Sequence, residues 1–134
     1  MALPVRVLDS WAIIAFLEDE PAAHQVENII IEALQTNSRL LIPVVNLGEV
    51  WYSIARAHSI EAADKAINQI RSLGVDIIDV DWSFTYQAAQ FKMQGNIAYA
   101  DCFALALAFQ EEAELITGDQ EFKQFEKLIK IVWL

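Results

Sequence analysis

The chain has 134 residues, 55% of them apolar, which is enough for one domain with a substantial core. Nine lysines and arginines against nineteen aspartates and glutamates give a net charge of −10, which excludes binding of nucleic acid by overall charge. The longest uncharged apolar run, residues 102–109, is far shorter than the ~20 residues of a membrane helix, and no signal-peptide pattern is present. Because there is one cysteine and the two histidines are far apart, we expect no disulfide and no zinc site. We expect a cytoplasmic protein with a single domain over residues 1–134.

Strand-like apolar runs alternate with helical patterns along the chain, which predicts an α/β fold. The predicted strands are residues 5–8, 40–42, 75–80, 115–116 and 129–133. Between the first two strands, a short helix begins at Ser10, whose hydroxyl can cap it. A second helix follows, with Pro21 in its first turn, and ends near residue 35.

Helical patterns also separate the later strands. One helix begins near Asn46, another is capped by Ser59 and ends at Gly74, and the remaining helices are residues 83–94, 98–112 and 120–125. We therefore expect a central, mostly parallel sheet of about five strands, flanked by helices.

Four acidic residues are predicted to meet at one edge of this sheet. Asp9 directly follows the first strand, and Asp119 follows the strand at residues 115–116. Glu49 and Asp101 lie in the first turns of helices that begin at the same edge. Because ligands bind at the carboxyl ends of parallel strands, these side chains are candidates for one functional site.

Each acid also has an ordinary structural explanation. Asp9 and Asp119 could cap the helices that follow them, and Asn46 with Glu49 has the spacing of a capping box. Asp101 differs, because residues 102–109 contain no polar side chain and their helix should be buried on most sides. A carboxylate at the start of such a helix is costly unless it is compensated, for example by a cation.

Taken together, the four carboxylates favour a metal site. Carboxylates gathered at one edge repel one another unless a cation neutralises them, and oxygen ligands select Mg²⁺ or Mn²⁺ over zinc. Two such ions can activate a water and stabilise the leaving oxygen in phosphodiester cleavage. Bound cations would also allow an acidic protein to hold nucleic acid.

Several segments carry a resemblance to a known family. They are Val-Leu-Asp9-Ser10, the helix start at Glu49, Tyr-Ala-Asp101-Cys-Phe-Ala-Leu-Ala and Leu-Ile-Thr117-Gly-Asp119-Gln-Glu-Phe. Together they resemble the PIN-domain pattern, and most closely the VapC-type toxins of bacterial toxin–antitoxin pairs. The resemblance covers essentially the whole chain. The combination of the last two segments is fairly specific, whereas Asp-Ser by itself is weak.

This resemblance implies a Mg²⁺- or Mn²⁺-dependent endoribonuclease that is usually a homodimer and is silenced by a cognate antitoxin. Asp9, Glu49, Asp101 and Asp119 would then be the catalytic and metal-binding acids, supported by Ser10 and by hydrogen bonding from Thr117. Trp11 departs from the pattern, since many relatives carry a smaller residue there, and it could shape access for the substrate. Glu121 is placed on a solvent-exposed second turn rather than in the cluster.

Three other protein classes were weighed. A receiver-type phosphorylation domain needs an adjacent acidic pair after the first strand, and a haloacid-dehalogenase-like phosphatase needs a second aspartate at position 11, where this chain has Trp11. Both are rejected. The remaining alternative is a non-catalytic PIN-like interaction module with a vestigial or structural metal site, which metal-dependent RNA cleavage would distinguish.

Overall fold

The computed structural model describes residues 3–134, which form five strands, six α-helices and one short 3₁₀ helix. The strands are β1 (Arg6–Leu8), β2 (Leu40–Pro43), β3 (Val75–Ile78), β4 (Glu114–Thr117) and β5 (Lys130–Trp133). The helices are α1 (Ser10–Leu17), α2 (Ala23–Thr36), α3 (Val44–Ala57), α4 (Ile60–Ser72), α5 (Trp82–Gln94) and α6 (Tyr99–Gln110), and the 3₁₀ helix is Gln120–Phe125.

The sheet has the order β3-β2-β1-β4-β5 and every pairing is parallel. The predicted α/β fold with about five strands is confirmed, and the sheet is wholly rather than mostly parallel. The chain runs outward from β1 to β3 and then crosses back to the other side of β1. The switch in direction therefore lies between β1 and β4, where open α/β sheets form their ligand crevices.

Alternating side chains of the strands fill two cores, one on each face of the sheet. Val7, Leu41 and Leu115 face α5 and α6, whereas Leu8 and Ile116 face the helices α1 to α4. The second face is closed by the apolar sides of α2, α3 and α4. The result is a three-layer arrangement in which helices cover both faces of a buried parallel sheet.

Helix α6 is the most deeply buried helix, as its lack of polar residues predicts. All eight residues from Asp101 to Ala108 are buried, and the helix packs against α5 and the central strands. Its first turn lies at the carboxyl edge of the sheet. Within residues 3–134, no helix is both long and apolar enough to cross a membrane.

Some helix starts differ from the predictions. The second helix begins at Ala23 rather than with Pro21 in its first turn. Helix α3 begins at Val44, directly after Pro43, so Asn46 lies inside the helix and Glu49 lies in its second turn. Ser59 caps α4 as predicted, by accepting a hydrogen bond from the backbone of Ala62.

Candidate metal centre

Asp9 is the most deeply buried of the candidate acids, with 1% of its surface exposed. One carboxylate oxygen accepts a hydrogen bond from the backbone N–H of Ala12 at 2.9 Å, so Asp9 caps α1. The other accepts a hydrogen bond from the hydroxyl of Thr117 at 2.5 Å. The prediction that Ser10 caps α1 is wrong, because the residue before it occupies the capping position.

Thr117 connects, by hydrogen bonds, the loops that follow β1 and β4, the two strands at the switch point. Its side chain is fully buried, and its hydroxyl both donates to Asp9 and accepts from the backbone N–H of Asp119 at 3.0 Å. The carboxylate of Asp119 accepts from the backbone N–H of Glu121 at 3.0 Å and thereby caps the 3₁₀ helix. The loops after β1 and β4 are thus held together by one hydroxyl.

Glu49 is held from two sides. The Ser10 hydroxyl donates to Glu49 Oε1 at 2.9 Å, and the Asn46 side-chain amide donates to the same oxygen at 3.1 Å. The amide of Asn46 also donates to the carbonyl of Ala100 at 3.2 Å, which ties α3 to the start of α6. Both bonds converge on Oε1, so Oε2 remains the oxygen of Glu49 that is available to a ligand.

Asn46 therefore has a different role from the predicted one. It is fully buried and does not cap α3, which excludes the alternative explanation of Asn46 and Glu49 as a capping box. Its carbonyl oxygen has no hydrogen-bond partner among the described residues. A buried amide in this position orients Glu49 and fixes the spacing between two of the helices that carry candidate acids.

Asp101, Asp119 and Glu121 form the tightest part of the cluster. Each offers one carboxylate oxygen, and these three oxygens lie within 4.8 Å of one another. Asp101 is in the first turn of α6, as predicted. Glu121 is exposed to solvent, as expected, but it lies in the first turn of the 3₁₀ helix rather than the second, and its carboxylate joins the cluster. Asp9 and Glu49 lie outside this tight set.

Burial and mutual repulsion perturb two of these acids strongly. Burial raises the pKa of Asp9 to about 7, with further increases from Asp119 and Glu49 and an opposing effect from its hydrogen bonds to Thr117 and Ala12. Burial is also the largest of the influences that raise the pKa of Asp101 to about 8. The other contributions come from four acids: Asp119, Asp9, Glu49 and Glu121. All five carboxylates therefore share one electrostatic environment.

A divalent cation fits this environment. The closely spaced donors are carboxylate oxygens, the ligand type that suits Mg²⁺ and Mn²⁺. The raised pKa values show that the hydrogen bonds from Thr117 and Ala12 do not offset the burial of Asp9, and every influence on the pKa of Asp101 raises it. A bound cation would favour the ionised forms and relieve the repulsion among the acids.

The family of the chain follows from its sequence and agrees with this geometry. A sequence model of the PIN domain matches residues 6–128. The chain belongs to the PIN domain family. That match and the wholly parallel sheet confirm the predicted resemblance and the predicted PIN-like fold.

Solved PIN-fold structures are similar over nearly the whole chain. VapBC2 from Rickettsia felis, bound to a DNA fragment from its promoter, gives a TM-score of 0.79 at 17% identity, covering 97% of this chain and 98% of that chain. VapC20 from Mycobacterium tuberculosis, a sarcin–ricin loop cleaving toxin, gives a TM-score of 0.71 at 14% identity. The match covers 90% of this chain and 94% of that chain. VapBC-1 from nontypeable Haemophilus influenzae gives a TM-score of 0.72 at 19% identity, covering 96% of this chain and 97% of that chain. At these identities the likeness establishes the fold. No curated protein sequence matches the chain.

The sequence patterns did not place Asn46 or Glu121 among the candidate site residues, although Asn46 donates to Glu49 and the Glu121 carboxylate lies beside Asp101 and Asp119. The signal for Glu121 was its position two residues after Asp119 in a segment too short for a stable α-helix. The feature that could have predicted the position of Asn46 is Pro43. A proline is tolerated at the start of a helix, so a helix beginning directly after Pro43 contains Asn46 in its first turn.

The raised pKa values predict how stability depends on pH when no divalent cation is present. The folded-state pKa values of Asp9 and Asp101 lie above the ordinary value of 3.8. Their contribution to the free energy of unfolding is therefore fully present below about pH 4 and is lost as the pH rises through about 7 to 8. In chelator, we expect the Tm to fall by several degrees between pH 5 and pH 8.

Asp101→Asn provides the control, because it removes one of the two titrating groups and should flatten this slope. The comparison separates the contribution of Asp101 from every other effect of pH on the protein. Parallel Tm curves for the wild type and Asp101→Asn would contradict the proposed burial of an uncompensated carboxylate.

Proposed function

We propose that this protein is a Mg²⁺- or Mn²⁺-dependent endoribonuclease, and that it is the toxin of a toxin–antitoxin pair. The observation that carries the proposal is the convergence of Asp101, Asp119 and Glu121 within 4.8 Å, electrostatically coupled to Asp9 and Glu49 at the switch point of a PIN fold. Such an oxygen-rich cluster suits metal-assisted hydrolysis of a phosphodiester.

The residues of the acidic site would have distinct roles in this reaction. Asp9, Glu49, Asp101 and Asp119 would hold the cations, as the sequence predicts, and Glu121 would join Asp101 and Asp119. Ser10 and Asn46 hold Glu49 Oε1, and Thr117 holds Asp9, so these neighbours keep the acids oriented. Bound divalent cations would lower the pKa of a water nucleophile and stabilise the leaving oxygen.

RNA as the substrate is supported by the fold, and bound cations reconcile it with the chain's negative charge. The similar VapC20 from Mycobacterium tuberculosis is a toxin that cleaves the sarcin–ricin loop. A chain with a net charge of −10 needs cations at its site to hold a phosphodiester, which agrees with metal-dependent cleavage in the cytoplasm.

Partner proteins are the second part of the proposal. Similar structures include a toxin–antitoxin complex from Klebsiella pneumoniae and VapBC-5 from Mycobacterium tuberculosis, a member of the VapBC family of toxin–antitoxin systems. We propose a cognate antitoxin whose basic side chains pair with the acidic cluster, and a homodimer built on the partly exposed apolar side chains of α3 and α4, such as Ile60. Light scattering of the purified protein tests the dimer, and a monomer at micromolar concentration would contradict it.

The test of the proposed activity is cleavage of single-stranded RNA by the purified protein. We expect cleavage with added Mg²⁺ or Mn²⁺ and none with chelator. The matched control is the double variant His24→Ala/His58→Ala, which should retain nearly full activity because His58 is paired with Glu18 and neither histidine is part of the acidic cluster. Metal-independent cleavage that this double variant abolishes would contradict the proposal, and a protein that cleaves no RNA under any of these conditions would favour the non-catalytic PIN module.

A further inference from the structure

Trp11 lies against the loop that carries Asp119. A Cβ atom added at Gly118 would lie 2.3 Å from Cη2 of Trp11 and 2.5 Å from both Cζ2 and Cζ3. Because three adjacent ring atoms are at nearly equal distances, Trp11 presents the face of its ring, and not its edge, to Gly118. Only glycine allows the backbone to approach the ring so closely.

The remaining surface of Trp11 is available to a ligand. Trp11 is 38% exposed although Gly118 lies against one face of its ring. Trp11 also lines a pocket of about 270 Å³. The other walls of the pocket are formed by Glu20, Pro21, Ala22, Gln25 and Leu134.

This pocket, which we call the Trp11 pocket, is built onto the candidate metal centre. Trp11 is two residues from Asp9, and Gly118 lies between Thr117 and Asp119. On the far wall, the backbone N–H of Leu134 donates to the carbonyl of Thr117 at 3.0 Å. The Trp11 pocket and the candidate metal centre are therefore built on the same two segments, the start of α1 and the loop after β4.

The charge of the protein restricts what can bind there. The net charge is −10, and Glu18, Asp19 and Glu20 follow α1, so the charge around this pocket disfavours the phosphates of an RNA strand. Uncharged contacts are therefore the favoured source of affinity here. Stacking of a base on an aromatic ring contributes about 1–3 kcal/mol for each base and does not depend on charge.

We propose that the Trp11 pocket binds an unpaired nucleobase of the RNA substrate, next to the phosphodiester that is cleaved. The inference rests on the proposed ribonuclease function and adds a substrate-binding residue to it. The base stacks on the exposed face of Trp11, which Gly118 supports from behind. Gln25 and Glu20 supply hydrogen-bonding groups at the rim, and the carboxylate of Glu20 can accept from an amino group on the edge of a base.

The experiment uses single-stranded RNA oligonucleotides and three variants of the full chain. Trp11→Ala removes the ring, Trp11→Phe keeps a smaller ring, and Trp82→Ala is the matched control, since Trp82 is 74% exposed and lies beside Tyr86 on α5. A parallel set of oligonucleotides carries one abasic nucleotide at each position around the cleavage site. Cleavage kinetics are measured with Mn²⁺, and RNA binding is measured by fluorescence anisotropy in an Asp101→Asn background.

We expect Trp11→Ala to lower kcat/KM by roughly 5- to 150-fold, the fold-change that corresponds to one stacked base. Most of the effect should be in KM, and RNA binding in the Asp101→Asn background should weaken by a similar factor. Trp11→Phe should retain most of the activity, and Trp82→Ala should match the wild type. An abasic nucleotide at one position should lower the kcat/KM of the wild type by the same factor. At that position it should not lower the kcat/KM of Trp11→Ala any further.

Other outcomes would overturn the inference without affecting the proposed function. Unchanged kcat/KM and RNA binding in Trp11→Ala would overturn it. It would also be overturned if, at every position, the abasic nucleotide lowered kcat/KM by the same factor in Trp11→Ala as in the wild type. Unchanged RNA kinetics together with weakened self-association or weakened binding of a basic peptide would assign the Trp11 pocket to a protein partner. A wild-type protein that cleaves no RNA overturns the proposed function, and the anisotropy measurement then tests Trp11 separately.

Discussion

Replacing Asp101 by asparagine is expected to reduce RNA cleavage by more than a hundredfold and to leave the protein folded. Asp101 contributes an oxygen to the tightest part of the cluster and lies at the entrance of a buried helix. Changing a residue that merely orients a metal ligand costs roughly 10- to 100-fold, so the loss of a ligand should cost more. Asparagine preserves the shape of the side chain and removes a buried charge, so stability without metal should not fall.

The matched control is Glu111→Gln, which removes one negative charge at the other end of the same helix. Glu111 is exposed and follows the last turn of α6, so its charge is far from the cluster. We expect its cleavage rate to match that of the wild type. Equal loss in Glu111→Gln and Asp101→Asn would mean that overall charge, and not the metal centre, limits the reaction.

The remaining acids should fall into two groups in the same assay. Asp119→Asn and Glu121→Gln should lower cleavage with little effect on the fold, since their carboxylates are partly or fully exposed. Asp9→Ala should lower both cleavage and stability, because Asp9 caps α1 and accepts from Thr117. The loss of a cap alone typically costs about 1 kcal/mol.

The second large effect is stabilisation by metal. Mg²⁺ or Mn²⁺ at a concentration about 100 times its Kd should raise the free energy of unfolding by roughly 2.7 kcal/mol, because the cation binds the folded state. For a domain of this size that corresponds to a rise in Tm of several degrees. The rise should be larger at pH 8 than at pH 6, since at pH 6 protons still occupy Asp9 and Asp101 and compete with the cation.

Asp101→Asn should show a much smaller rise in Tm at the same metal concentration. Glu111→Gln is again the matched variant, and sodium chloride at the same ionic strength controls for general screening. An equal rise in Tm for the wild type and Asp101→Asn would show that the cation binds elsewhere on this acidic surface.

The fold and the position of the site followed from strong local signals in the sequence. The polar-free run after Asp101 can only be a buried helix, and acids that follow parallel strands must meet at the carboxyl edge of the sheet. These two facts suffice to bring Asp9, Asp101 and Asp119 together. They depend on periodicity and topology, which are properties that a single sequence carries.

Details of side-chain partnership could not be predicted in the same way. The spacing of Asn46 and Glu49 is the same for a capping box as for two residues inside a helix, and the start of α3 at Val44 decides between them. Similarly, Asp9 and Ser10 could each have capped α1. The structure assigns the cap to Asp9 and leaves the hydroxyl of Ser10 to bind Glu49 across the site.

The chemistry of the cleaved ends tests the central claim most directly. RNA is incubated with the wild-type protein and Mn²⁺ in water enriched in ¹⁸O, and the new ends are analysed by mass spectrometry. If the acidic cluster directs metal-assisted attack by water, each cleavage produces a linear monophosphate that carries one ¹⁸O from solvent, and chelator abolishes the product. Ends with a 2′,3′-cyclic phosphate, formed equally well in chelator and by Asp101→Asn, would contradict the metal-dependent mechanism.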